Sequence, residues 1–143
     1  MSPEEFVAER IAGLGTDAGS RVHMLKLPQR PTLPAVRVQA IGGVEDQHLR
    51  GPQGVNVTRV QVDSFAAETG DAYYTVRAMA DAIMGEGEGD SASGVWGFIG
   101  WSVGSPAIRI ANVELVHDGT PTYEADELRL IRIRQDYLVH WYS

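Results

Sequence analysis

The residues that could do chemistry are few and scattered. Four histidines, His23, His48, His117 and His140, are potential metal ligands or proton carriers, but no two stand four residues apart as on a zinc-binding helix. His140 takes the outward parity of a terminal strand and reads as a surface residue. The chain has no cysteine, so disulfides and thiolate sites are excluded and thiol usage reports no redox compartment. Ser102, within GWSVG, has the spacing of a nucleophile elbow. An elbow must lead from a strand into a helix, and Val103, Gly104, Ser105 and Pro106 do not begin one. GEGEGD, at Gly85 to Asp90, supplies carboxylates, yet Ser91 to Val95 do not complete a calcium loop. No glycine-rich nucleotide fingerprint occurs at a strand-to-helix junction. These residues predict no catalytic centre, no metal site and no cofactor.

What remains favours contact over catalysis. Trp96, Phe98 and Trp101 cluster among glycines beside acidic sequence rather than in a basic groove, so packing in the core or against a neighbouring subunit is favoured over base stacking. The net charge of −7 opposes a general grip on phosphate. Arg129, Arg132 and Arg134 are the candidates for a local basic patch. Arg132 and Arg134 alternate with Ile131 and Ile133 and so share one strand face, which reads as a solvated face or a charge-guarded edge.

The elements that must carry these residues emerge from periodicity. A chain of 143 residues, 43% hydrophobic, suits one domain with a core of its own. Its beginning, MSPEEFVAERIAGLG, is acidic where a secretory signal is basic, and no window reaches the roughly 20 apolar residues of a membrane helix, so a soluble cytoplasmic chain is expected. Ser2 and Glu5 have capping-box spacing, with Pro3 at the first turn, and predict a helix bearing Phe6, Val7, Ile11 and Leu14 on one stripe and stopping near Leu14. Arg21 to Leu27 contains a short extended piece, and Pro28, Pro31 and Pro34 stiffen the segment after it. Ala35 to Ile41 alternates as a half-buried strand, and Val44 to Gln53 forms a long hairpin loop.

The next strand, Val55 to Phe65, changes apolar parity and predicts a bulge near Thr58 or Arg59. The second helix places Ala72, Val76, Met79, Ala80 and Ile83 on one face between Asp71 and Gly85. Glu86 to Gly94 reads as a mobile acidic loop. Further strands are expected at Val95 to Val103, Ala107 to Val116 and Leu130 to Tyr142. In the last of these, Ile131, Ile133, Tyr137, Val139 and Trp141 share one parity broken by Gln135, while Arg132, Arg134, Asp136 and His140 take the other. The order αββα followed by strands predicts one α+β domain, an antiparallel or mixed sheet with two helices on one face.

Four stretches carry a family likeness: LPQRPTLPAVRVQAIGG (Leu27 to Gly43), HLRGPQGVNVTRVQVDSFA (His48 to Ala66), AYYTVRAMADAI (Ala72 to Ile83) and RIRQDYLVHWYS (Arg132 to Ser143). Together they resemble the tail-completion proteins of long-tailed bacteriophages, which are related to tail terminators and head–tail joining proteins. The resemblance covers most of the chain from Leu27, with Glu86 to Ile108 matching less well. It implies a non-enzymatic virion subunit at the neck, on top of the tail, assembled in the host bacterial cytoplasm. Such a subunit forms a homo-oligomeric ring, a hexamer, that caps the tail tube protein and meets the head connector or stopper, with DNA only as passing cargo in the lumen and no membrane involved.

Heterologous contacts between ring subunits suit loops and edge strands. The interface candidates are therefore His48, Arg50, Val55, Trp96, Trp101, Arg132, Arg134 and Trp141, and Glu86, Glu88 and Asp90 are expected to face the channel or solvent. A head-side connector or stopper ring is the alternative within this class. A small intracellular enzyme or ligand-binding domain using Ser102, Asp63 or Trp101 is the alternative outside it.

Overall fold

The structure, a computed structural model, describes residues 1–29, 31–41, 56–68, 71–89, 91–124 and 130–142. Helix α1 (Pro3–Ala12) starts where the capping residues require. Ser2 Oγ accepts the Glu5 amide at 3.2 Å, and Gly13 closes the other end by donating to the Glu9 and Arg10 carbonyls. Helix α2 (Ala72–Met84) buries the predicted face, Ala72, Val76, Met79, Ala80 and Ile83, and ends at Gly85, whose φ of 72° suits glycine. The strands are β1 (Val22–Met24), β2 (Ala35–Ile41), β3 (Asn56–Ala67), β4 (Gly100–Val103), β5 (Ile108–Asp118), β6 (Thr122–Glu124) and β7 (Leu130–Tyr142). None of the described helices is long and apolar enough to cross a membrane.

The sheet runs β1-β2-β3-β7-β5-β4, with β1 parallel to β2 and the remaining pairs antiparallel; β6 pairs with the first residues of β7. This is the expected α+β architecture with a mixed sheet. Cross-strand register places Val36, Val38, Val60, Val62, Tyr137 and Val139 on one face, where Phe6, Val7 and Ile11 of α1 and Met79 and Ile83 of α2 cover them. A second cluster sets Ala72, Val76 and Ala80 of α2 on Ala66 and Ile133. Full burial of each large aliphatic side chain is worth about 1.5–3 kcal/mol, so this single-sided core is what holds the helices to the sheet.

The expected bulge in β3 does not form. Its pairing runs unbroken from Asn56–Trp141 to Ala67–Leu130, and bulges fall instead in β5, between Ile110 and Asn112 and between Leu115 and His117. The parity change has another cause: β3 lies at the centre of the sheet and is buried on both faces, so apolar parity there does not mark one face alone. Gln135, the break in the apolar series of β7, is fully buried. It accepts from the Tyr137 hydroxyl and donates to Ala80 O and Asp118 Oδ1, each at 3.1 Å, which ties the sheet to α2.

The loop after α2 is fastened rather than loose. Ser93 N donates to Glu86 O, Glu86 N donates to Ser93 Oγ, and Arg10 reaches from α1 to the carbonyls of Ala92 and Gly94. Its glycines serve close approach. A Cβ on Gly94 would fall 2.6 Å from Met84 O, and Gly97 N bonds Val113 O on the edge of β5. The hairpin loop expected over Val44 to Gln53 lies outside the described residues.

Candidate subunit-interaction surfaces

With both described helices on one face, the strands carry their other parity to the opposite face, where none of the described helices packs. Successive cross-strand rows there read Ala35–Phe65–Arg132, Arg37–Asp63–Arg134, Gln39–Gln61–Asp136 and Ile41–Arg59–Leu138. Four guanidinium groups therefore surround two carboxylates. Asp63 Oδ2 accepts from Arg37 Nε and Nη2 at 3.1 and 2.7 Å and from Gln61 Nε2 at 2.8 Å, while Arg132 Nη1 stands 3.9 Å from its other oxygen. Asp136 accepts from Arg59 Nε and Nη2 at 3.2 and 2.7 Å and from both ends of the Arg134 fork at 3.0 Å.

Asp63 and Asp136 are almost wholly removed from solvent, while the four arginines remain between 23% and 41% exposed. Burial alone would raise the Asp136 pKa. The hydrogen bonds and charges of Arg134 and Arg59 outweigh it and hold the carboxyl below its ordinary range. The Arg134 guanidinium is correspondingly raised, chiefly by its hydrogen bonds to Asp136. Arg37 also lies 5.4 Å over the Phe65 ring. The result is a rigid face with an excess of positive charge on a chain whose net charge is negative.

A second feature lies at the β4–β5 side. Glu88, Trp96, Ile99, Asn112 and Glu114 line a cleft of about 480 Å³. Trp96 is 45% exposed and Ile99 39%. Glu114 stands 3.2 Å from His140 Nε2. Phe98, the third aromatic position of this region, turns inward and packs 4.9 Å from Phe6 beneath Arg10.

A third feature sits at the other lateral edge, just past β1. Lys26 N donates to Met24 O at 2.8 Å across Leu25, whose φ is 68°. A two-residue closure around a positive φ is the strained form of the γ-turn. It is held in place because Leu25 N also donates to Val38 O at 2.9 Å. Leu25 is nonetheless 68% exposed, with Met24 beside it at 39%.

Of the residues expected at contacts, Arg132 and Arg134 lie in the guanidinium face and Trp96 in the cleft. Trp141 turns to the helix-covered face, where its indole donates to Thr58 Oγ1 at 3.0 Å. Trp101 belongs to β4, its side chain outside what is described, and His48, Arg50, Val55, Asp90 and Arg129 are outside the described residues. Glu86 and Glu88 are exposed. Ser102 lies in β4 and is followed by a turn into β5, so GWSVG is strand–turn–strand, and β7 and β5 separate it from Asp63 in β3. Among the described residues no group of three potential ligands could hold a metal ion.

Sequence reasoning misses Arg37, Arg59 and Asp136 as contact residues, although the polar parity of β2, β3 and β7 carries the signal. Leu25 carries none, because leucine does not announce a positive φ. No family model and no curated protein matches the chain.

Proposed function

We propose that this protein is a structural ring subunit of the tail-terminator or tail-completion kind, which caps a tail tube and presents a docking surface to the head connector. The observation that carries the reading is the sheet with the described helices on one face and four half-exposed arginines fixed around two buried aspartates on the other. Such a face is pre-organised for contact, because its guanidinium forks are already ordered and lose little freedom when a partner covers them. The four sequence stretches that resemble tail-completion proteins add the class of assembly. The excess of acidic residues suits a ring through which DNA slides without being gripped.

The test combines light scattering with negative-stain imaging of the purified protein, alone and mixed with tail-tube polymer. Annular particles at an integral multiple of the subunit mass, or caps at tube ends, are the expected result. A chain that stays monomeric at every concentration and leaves tube ends bare would remove the reading.

A further inference from the structure

Among the described residues the strand order of the sheet ends at β1 and at β4, and both ends expose apolar side chains beside charge of opposite sign. At β1 the strained turn pushes Leu25 outward, with Met24 on one side and the exposed Lys26 on the other. At the β4–β5 side the cleft offers Trp96 and Ile99 between Glu88 and Glu114. We propose that the second copy of this chain is the occupant of that cleft, with Leu25 of one subunit seated against Trp96 and Ile99 of the next and Lys26 meeting Glu88 or Glu114.

Three features support the pairing. Strain in a sparsely populated backbone region persists where the surroundings impose it, and here its effect is to hold a leucine out in water, a placement that serves contact and not the monomer's core. The two patches lie at opposite ends of one sheet, so joining them is a head-to-tail contact that repeats around a ring. Their charges are complementary, lysine against two glutamates, which fixes the direction of docking. This docking rests on the ring reading above and specifies which surfaces close it.

The chain has no cysteine, so single thiols can be placed cleanly. Leu25→Cys and Ile99→Cys variants, one of them tagged to separate the products by size, are mixed and mildly oxidised. The expected outcome is a disulfide between positions 25 and 99 in at least about fivefold excess over either homodimer, as a heterologous contact requires. Oligomers that form without this cross-link, or with all three products at their statistical proportions, overturn the docking and leave the ring reading standing. Failure to form any oligomer, free or at tube ends, removes both.

A second variant separates contact from folding. Leu25→Gly relieves the positive φ, so it should raise the melting temperature of the monomer, measured at dilution, while weakening self-association by about tenfold or more. Unchanged association in a folded Leu25→Gly protein overturns the proposal. Lys26→Glu should weaken association likewise and recover when mixed with Glu88→Lys or with Glu114→Lys, and failure of both rescues overturns the charge pairing.

Discussion

Asp63 shows how much a single side chain organises. It has no exposed surface, yet one of its oxygens takes three hydrogen bonds and the other faces Arg132. Replacing it with asparagine removes the charge between these guanidinium groups and presents an amide donor to donors. Breaking a buried pair costs more than a surface one, but the arginines keep access to water, so Asp63→Asn should lose about 2 kcal/mol. That corresponds to a melting temperature lower by roughly 6 °C in a thermal unfolding scan. Leu25 works in the opposite direction. A non-glycine residue in the left-handed region costs about 1–2 kcal/mol, partly offset by the greater unfolded freedom of glycine, so Leu25→Gly should stabilise the monomer by about 0.5–1 kcal/mol.

Among the elements, α2 depends on its neighbour loop more than its own sequence suggests. The amides of Val95 and Trp96 donate to Ile83 O and Met84 O, carbonyls that the helix end leaves without intrahelical partners, and only glycine at 94 lets the backbones come that close. Gly94→Ala should cost about 2 kcal/mol and speed hydrogen exchange at the Val95 and Trp96 amides, measured by NMR. The same elements show what is legible in a sequence. Helix α2, β2 and β7 are readable because each buries one regular stripe, and β7 stays readable despite Gln135 because both flanks preserve parity. In β3 the rule misleads, since helices cover one face and the arginines roof the other. The loop at Glu86 to Gly94 looks mobile from composition, which does not distinguish glycines that permit close backbone approach from glycines that confer flexibility. Strand β6 hides in a turn, having only three residues among turn-formers. Of the contact surfaces, the arginine parity is visible in β7, whereas the cleft is assembled from segments far apart in the chain.

For the whole molecule, the guanidinium face sets the response to acid. In the folded chain the Asp136 carboxyl titrates below its ordinary value of 3.8. Its contribution is therefore complete above the unfolded pKa and is lost as pH falls through the folded value. Urea midpoints of the wild type should stay level from neutral pH to about pH 5 and drop below about pH 4. Asp136→Asn should be less stable at neutral pH and lose less on acidification, so that the two curves converge at the acid end. The position of β7 carries a different consequence. It is made after every other described strand, yet it belongs at the centre of the sheet, between β3 and β5. Arg59 and its partner Asp136 stand 77 positions apart. Until β7 is synthesised, β3 and β5 each leave an unpaired edge, and closing so long a loop slows the pairing that covers them. The nascent chain thus passes through a sticky stage, when it is open to pairing with the wrong strand, before it can present any surface to another copy.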